Sequence, residues 1–167
     1  EAFIAAEDKN FYSHDGIDII SIIRAAISNV SHVLHKKRVE GGSTITQQVV
    51  KTFLLTPERT IERKIKEAIL SYKISQVFSK DEILELYLNQ IYLGKSAYGV
   101  ASAALNYFNK SIEELTISEC AVLASLPKAP SIFNPEKNHK RAAERKNYVI
   151  RKIWSYLSLS VLSRDDE

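Results

Sequence analysis

The chain has 167 residues, of which 45% are hydrophobic, so it is long enough to bury the core of one domain. Its formal charge of +3 is mildly basic, which suits a polyphosphate or an anionic membrane but also many ordinary proteins. A single cysteine, Cys120, rules out a disulfide within the chain, and no apolar run reaches the roughly 18 residues of a membrane-spanning helix.

Helical periodicity dominates the sequence, and glycine and proline are scarce at 5 and 4 residues, which predicts an all-α fold. The first residues already lie within an apolar, helical pattern, so we expect a fragment that starts within its first helix. A domain is predicted over residues 1–157. Residues 158–167 show no clear pattern and are predicted to form a divergent or frayed tail.

The densest group of reactive side chains lies at residues 7–16, between the first apolar run and a glycine that predicts a loop. Three carboxylates, an imidazole and two aromatic rings fall within it, beginning with Glu7 and ending before Gly16. A carboxylate at the end of a buried helix is poorly solvated, which raises its pKa toward the range useful for proton transfer. Taken alone, a solvated acidic turn is the commoner explanation of such a stretch.

Residues 17–34 carry apolar side chains at helical spacing, and a basic segment without that spacing follows. His32 and His35 have a spacing seen in metal sites, but no third ligand accompanies them, so a solvated pair is predicted. Residues 31–42, which end in Gly41 and Gly42, are expected to be the most mobile part of the chain.

Thr44 and Gln47 form a capping-box pattern, which predicts that a helix begins there. With Gln48 and Lys51 they share one face, which is either a polar surface in water or a surface suited to sugars and a phosphate. The other face is predicted to be a buried stripe: Ile45, Val49, Val50, Phe53 and Leu54.

Thr56 and Pro57 predict the start of the next helix. Arg63 and Glu67 are neighbours one turn apart on it, with Lys64 beside them, and an exposed ion pair worth ~0.3–0.5 kcal/mol is the simplest explanation. A different face of the same helix is predicted to be buried: Ile61, Ile65, Ala68, Ile69 and Tyr72.

A second capping box, Ser79 to Glu82, predicts a central, buried helix that ends at Gly94. Asn89 within it is predicted to order a neighbouring loop. Thr116 is predicted to cap a further helix that runs through Leu126. The prolines at 127, 130 and 135 predict an extended loop after it. A last amphipathic helix is predicted over 138–157, with these residues inward: Val149, Ile150, Ile153, Trp154 and Leu157.

Four motifs follow one another along the chain: Glu7-Asp8-x-x-Phe11-x-x-His14-x-Gly16, then Gly41-Gly42-Ser43-Thr44-Ile45-Thr46-Gln47-Gln48, then Arg63-Lys64-x-x-Glu67, then Lys80-x-x-Ile83-Leu84-Glu85-x-Tyr87-Leu88-Asn89. Together they resemble the peptidoglycan glycosyltransferase family, the transglycosylase module of class A penicillin-binding proteins and of monofunctional transglycosylases. The resemblance covers essentially the whole chain, and the local sequence is most similar to that of the bifunctional 1A type.

This resemblance implies a lysozyme-like domain of packed helices that polymerises the glycan strand of the bacterial cell wall. The implied substrate is lipid II, a disaccharide-pentapeptide on undecaprenyl pyrophosphate. A sugar hydroxyl attacks the anomeric carbon of the growing chain, so that a single inverting displacement makes a β-1,4 bond. Such a step needs a base for the hydroxyl and charge stabilisation for the leaving group.

The resemblance also assigns roles to residues. Glu7 is implied as the base, and Glu67 acts on the pyrophosphate side with Lys51, Arg63 and Lys64, where a divalent cation (Mg or Mn) is conceivable. Five positions are candidates for binding substrate or holding shape: Ser43, Thr44, Gln47, Gln48 and Asn89. The remaining motif residues are implied to have structural roles: Asp8, Phe11, His14, Gly16 and Gly42. Moenomycin is an expected inhibitor.

The implied partners are lipid II, the growing glycan chain, the membrane surface and a fused transpeptidase domain. The implied location is the outer face of the bacterial cytoplasmic membrane, with an anchoring helix that this chain lacks. The enzymatic alternative is a glycan-cleaving lysozyme or lytic transglycosylase, which also pairs a helix-end glutamate with a helical fold. A basic module that binds nucleic acid is the other alternative, but the basic residues are interleaved with acids, so no nucleic-acid partner is expected.

Overall fold

The computed structural model describes residues 1–34, 42–55, 58 and 60–162. Within these residues the secondary structure is helical, with one 3₁₀ turn at Phe11–Ser13 and a single isolated bridge between Tyr92 and Tyr98. The prediction of an all-α fold is confirmed. The helices in chain order are α1 (Ala2–Glu7), α2 (Ile19–Leu34), α3 (Ile45–Leu54), α4 (Ile61–Val77), α5 (Lys80–Gln90), α6 (Val100–Phe108), α7 (Ile117–Ser125), α8 (Pro130–Phe133) and α9 (His139–Leu162).

The chain forms two compact units. Residues 1–9 and 86–167 make one, here called the terminal unit, and residues 10–85 make the other, here called the middle unit. None of the described helices combines the length and the apolar character needed to cross a bilayer. Residues 35–41 lie outside the described part of the chain. The predicted mobility of residues 31–42 and the predicted solvation of His32 and His35 therefore stay predictions.

In the terminal unit, α1 packs against α7 and α9, α8 packs against α9, and α6 packs against α7. Phe3 and Ile4 of α1 are buried. Ala104 of α6 and Ala121 of α7 have no exposed surface. Their methyl side chains are small enough to let the two helix backbones approach closely. This close packing fixes the end of α1, which carries Glu7.

Three later predictions of this region need correction. Residues 130–133 form the short helix α8, with Pro130 at its first position, where its missing N–H costs nothing. The final helix continues to Leu162 instead of ending at Leu157. Val149 and Ile153 are buried as predicted, but the Trp154 side chain is 67% exposed, because it falls just past the edge of the apolar stripe.

In the middle unit, α3 packs against α4. The predicted capping box at the start of α3 is confirmed: Thr44 Oγ1 accepts a hydrogen bond from the Gln47 amide, and Gln47 Oε1 accepts one from the Thr44 amide. The predicted buried stripe is only half right. Its first members are buried, whereas Phe53 and Leu54 are 48% and 53% exposed, because α3 enters the core only through its first two turns.

The predicted start of α4 and the face predicted to be buried both differ from the structure. It begins at Ile61 with Thr60 as its N-cap, and Thr56 and Pro57 lie outside the described residues. The buried side chains of α4 are Glu67 and Ser71. The apolar residues point to solvent, with exposed fractions of 82% for Ile61, 55% for Ile65, 52% for Ile69 and 51% for Tyr72.

Helix α5 begins at the predicted capping box, in which Ser79 and Glu82 exchange hydrogen bonds. It ends at Gln90, before Gly94. Ile83 and Tyr87 are buried, but Leu86 and Asn89 are exposed, so the helix is amphipathic and its predicted burial on most sides is wrong.

Candidate active site

Glu7 is the last residue of α1 and is held in the terminal unit. Its side chain is only 16% exposed, and its Oε1 lies 3.8 Å from Nη2 of Arg145, which α9 contributes. The side chain of the next residue, Asp8, is buried. The prediction of a poorly solvated carboxylate at a helix end is therefore confirmed in its geometry.

Tyr87 of α5 lies near the same carboxylates. It is 2% exposed, and its ring packs edge-on against Phe3 at 6.1 Å between centroids. Burial raises the pKa of the Tyr87 phenol well above its ordinary value, and the charges of Glu7 and Asp8 raise it further. The phenol is therefore neutral at pH 7 and available as a hydrogen-bond donor.

The remainder of the first motif lies in the middle unit and is built into its interior. Phe11 is completely buried, with the Lys80 ammonium 4.8 Å from its ring centroid. The same ammonium donates a hydrogen bond to the carbonyl oxygen of His14. Gly16 has φ +83, and a Cβ on it would lie 2.3 Å from the Ser71 carbonyl oxygen, so this position requires glycine. The structural roles predicted for these residues fit this packing.

Asp18 closes this stretch and begins α2. Its carboxylate accepts hydrogen bonds from the Ser21 amide and hydroxyl and from the Asn10 side chain. Burial raises the pKa of Asp18, but these hydrogen bonds outweigh burial and the net shift is downward. Asp18 was not predicted, although an aspartate three residues before a serine at a helix start is a recognisable cap.

The second motif is divided between buried and accessible groups. Thr44 and Gln47 are 2% and 1% exposed, and the capping box occupies their side chains, which favours the shape-holding role over substrate contact. Gln48 is half-buried and Lys51 is exposed. Two further members flank the helix start: Gly42 lies against Ala25 of α2, and Ser43 Oγ accepts a 2.8 Å hydrogen bond from Lys64.

Glu67 is the most deeply buried charged side chain of the third motif, at 2% exposure. Arg63 Nη1 binds its Oε2 at 2.9 Å, and the Lys64 ammonium binds its Oε1. The exposed ion pair proposed as the simplest explanation is therefore wrong, because the carboxylate is buried. Two cations and one carboxylate leave a formal charge of +1 on this cluster, which we call the Glu67 cluster, and Lys51 adds a further charge on the neighbouring helix α3.

The Glu67 cluster does not fit a resident Mg²⁺ or Mn²⁺. Such an ion takes about six oxygen ligands, whereas the one buried carboxylate here is already bound by two cations. Among the residues that the structure describes, no group of three or more His, Cys, Asp or Glu side chains could hold a metal ion.

The structure thus places the predicted site residues in two sets. The middle unit links four of them by side-chain contacts, from Ser43 to Lys64 and from Lys64 and Arg63 to Glu67. The terminal unit holds Glu7, and it also contains Asn89, which is exposed near the end of α5. From the roles that the resemblance implies for Glu7 and Glu67, we also expect the two carboxylates to face each other across one cleft, and this stays a prediction.

Two residues at the Glu7 carboxylate were not predicted. Arg145 lies far along the chain in a run of basic residues on α9, where nothing in the local pattern distinguishes it. Tyr87 stands within the fourth motif, but no role at the site was predicted for it. A buried tyrosine needs a partner for its hydroxyl, and that requirement was the available signal.

Comparison with known proteins identifies the family. A family model described as Transglycosylase matches residues 1–154. Penicillin-binding protein 1A of Rickettsia felis is 65% identical over 154 residues, which make up 92% of this chain and 20% of that protein. Penicillin-binding protein 1A of Neisseria gonorrhoeae is 52% identical over 164 residues, or 98% of this chain and 20% of that protein. The chain thus spans about a fifth of the length of these curated relatives.

Among solved structures, the crystal structure of penicillin-binding protein 1A from Haemophilus influenzae is 41% identical, with a TM-score of 0.44 over 65% of this chain and 13% of that chain. The family model covers nearly the whole sequence, and relatives above 50% identity share the same name. The chain therefore belongs to the transglycosylase family and is a peptidoglycan glycosyltransferase.

Proposed function

We propose that this glycosyltransferase polymerises lipid II into β-1,4 glycan strands by a single inverting displacement. The 4-hydroxyl of the acceptor sugar attacks the anomeric carbon of the growing chain and forms the new C–O bond. The bond from that carbon to the lipid pyrophosphate breaks, and undecaprenyl pyrophosphate leaves with the bonding electrons. The hydroxyl proton passes to a base, for which Glu7 is the candidate.

The observation that carries this proposal is the net positive charge of the Glu67 cluster. Glu67 neutralises one charge of Arg63 and Lys64 and holds both side chains in place, so a net positive charge is presented before any ligand arrives. A preorganised cation stabilises a leaving pyrophosphate more effectively than one that must be reoriented. Glycan cleavage releases no pyrophosphate, so this charge favours a polymerase over the lysozyme-like alternative.

Glu7 suits the role of base because of its position at the end of a helix. The carboxylate is largely shielded from water but not sealed, at 16% exposure, so a sugar hydroxyl can reach it. At neutral pH an ionised carboxylate beside a cation can accept a proton. Thr44 and Gln47 would act at a distance, by fixing the first turn of α3.

A membrane surface is the proposed setting of the reaction, on the outer face of the bacterial cytoplasmic membrane. The support is an apolar stripe on the solvent side of α4, made of large side chains that a soluble protein usually buries: Ile61, Ile65, Ile69 and Tyr72. Ile19, Ile23 and Ile27 form a comparable exposed stripe on α2. We also propose a fused transpeptidase domain in the parent protein, since the relatives are about five times longer than this chain.

One experiment tests the reaction. The intact protein is incubated in parallel with lipid II and with finished peptidoglycan, and the glycan products are separated by length. We expect lipid II to be consumed with release of undecaprenyl pyrophosphate while finished peptidoglycan is unchanged. Shortening of the finished glycan with lipid II left intact would replace this proposal by a cleaving enzyme. A divalent cation that arrives with the substrate pyrophosphate, and is not resident at the Glu67 cluster, stays a prediction. It is tested by adding a chelator to the lipid II reaction and then restoring Mg²⁺ or Mn²⁺.

A further inference from the structure

Arg145 brings a largely shielded cation to the carboxylate at the end of α1. Its Nη2 lies 3.8 Å from Oε1 of Glu7, and the two side chains are 11% and 16% exposed. An ion pair shielded from water to this extent is screened less by salt than a surface pair and interacts more strongly. Arg145 is therefore placed to affect the charge state and the orientation of Glu7.

The guanidinium is itself held by two aromatic rings. Its central carbon lies 4.7 Å from the centroid of Tyr148 on the same helix and 5.8 Å from that of Phe133 on α8. Arginine is suited to such a place because its planar group can stack on a ring and still direct N–H groups at a carboxylate. The Arg145 Nε atom is buried and makes no hydrogen bond within the described residues, so stacking rather than hydrogen bonding fixes this part of the side chain.

We propose that Arg145 is a positioning residue for Glu7: the guanidinium, clamped by Tyr148 and Phe133, holds the Glu7 carboxylate in its ionised form and in one orientation. The inference rests on the proposed function, in which Glu7 is the base. A base must be ionised before the acceptor hydroxyl arrives, and a cation at this distance favours the ionised form. The same cation opposes protonation, so Arg145 sets the lower pH limit at which the enzyme can work.

Asp8, Tyr87 and Glu119 are further titratable side chains on α1, near its end or on a helix that packs against it. Asp8 is the neighbouring carboxylate, and its negative charge disfavours ionisation of Glu7. The Tyr87 phenol is neutral. Helix α7 also packs on α1, but its one acidic side chain, Glu119, pairs with Lys110. The Arg145 guanidinium supplies a positive charge at this carboxylate.

The test is the pH dependence of kcat/KM for lipid II in the intact protein, which reports the ionisations of the free enzyme. In Arg145→Gln, we expect the acidic limb to move up by about one pH unit, because the cation no longer favours the ionised base. Turnover at the plateau should fall about tenfold as orientation is lost. In Arg145→Lys the charge is kept without the planar stacking group, so the limb should stay near its wild-type pH while the plateau falls.

Two further variants control the measurement. Lys152 is a cation of α9 that lies 5.5 Å from the same Tyr148 ring and is not in ion-pair contact with Glu7, so Lys152→Gln should leave the limb and the plateau unchanged. Arg145→Met keeps an apolar stem against the rings and serves as a second neutral variant if the glutamine variant fails to fold. Its limb should move as in Arg145→Gln.

The outcomes separate the inference from the proposed function. An acidic limb that stays in place in a folded neutral variant overturns the role of Arg145, and so does a limb that moves in Arg145→Lys with the charge retained. Near-normal turnover of Glu7→Gln would instead overturn Glu7 as the base. If Glu7→Gln is inactive and the limb of Arg145→Gln is unmoved, the proposed function survives and only this inference fails.

Discussion

The hydroxyl of Thr44 donates a 2.6 Å hydrogen bond to the carbonyl oxygen of Gly16, which lies 28 residues earlier. The bond is buried and joins the end of the first motif to the start of the second. The same hydroxyl accepts a hydrogen bond from the Gln47 amide. One side chain thus caps α3 and fixes the loop that follows Glu7 in sequence.

Thr44→Val is expected to destabilise the protein by about 1–3 kcal/mol, because valine has the same shape but leaves a buried carbonyl and a helix N-terminus without partners. The measurement is the free energy of unfolding in denaturant. Thr44→Ser keeps the hydroxyl and is the matched control, with a loss of less than about 1 kcal/mol. Equal losses in the two variants would show that the methyl group and not the hydroxyl is important.

Glu7→Gln should almost abolish polymerisation, by about 10²–10⁴-fold, because an amide of the same size cannot accept the hydroxyl proton at pH 7. Moenomycin should still bind the variant about as well as wild type, since the Glu67 cluster is untouched. The measurements are lipid II turnover and inhibitor affinity on the same folded preparation. Loss of inhibitor affinity parallel to the loss of turnover would point to a binding role for Glu7 instead.

Arg63→Ala is expected to weaken both moenomycin binding and turnover, because it removes a charge-assisted contact of about 1.5–3 kcal/mol. It also leaves the buried Glu67 carboxylate with one cation in place of two. Lys66→Ala removes a cation from the same helix, where Lys66 pairs with the exposed Glu62, and serves as the control. If both variants lose inhibitor affinity equally, the effect is one of overall charge and not of the Glu67 cluster.

Glu119 gives a prediction for pH. A hydrogen bond from Lys110, followed by those from Thr116, lowers the pKa of Glu119 from 4.5 to about 2. A group whose pKa is lower in the folded state stabilises the protein above its unfolded pKa, and this contribution is lost as the pH falls toward the folded value. Glu119→Gln should therefore lower Tm near pH 7, and the difference from wild type should shrink as the pH falls from about 4.5 to about 2. A constant difference across this range would exclude the charge as its cause.

Local signals account for what was predictable. The helix starts at Thr44, Ser79 and Thr116 follow from side chains that bond the backbone three residues away, so the sequence contains both partners. Helical periodicity likewise predicted α1, α2 and α7 close to their observed bounds. The four motifs supplied the candidate site residues but not their environment.

Helix α4 shows why burial was harder to predict. A pattern of apolar residues is assumed to face the core, and Ile61, Ile65 and Ile69 fit that assumption in isolation. The core of the middle unit instead takes Glu67, and this is tolerable because Arg63 and Lys64 neutralise it within one turn. Hydrophobic periodicity alone cannot distinguish a stripe that faces the core from one that faces outward.

Contacts between distant residues were beyond the sequence. Arg145 meets Glu7 only because α9 packs along α1, and no pattern near either residue encodes that meeting. The position of Lys80 over the Phe11 ring is of the same kind, although both residues stand in recognised motifs. Motifs identify the participants in a site, whereas tertiary packing decides which of them touch.

The outward position of Trp154 has a practical consequence for spectroscopy. It is the only tryptophan of the chain, and its side chain is 67% exposed. Its intrinsic fluorescence should already resemble that of indole in water in the folded protein, with ready quenching by iodide or acrylamide. Emission will then change little on denaturation, so unfolding is better followed by far-ultraviolet circular dichroism. The same exposure makes Trp154 a sensitive optical reporter of anything that comes to lie against the outer side of α9.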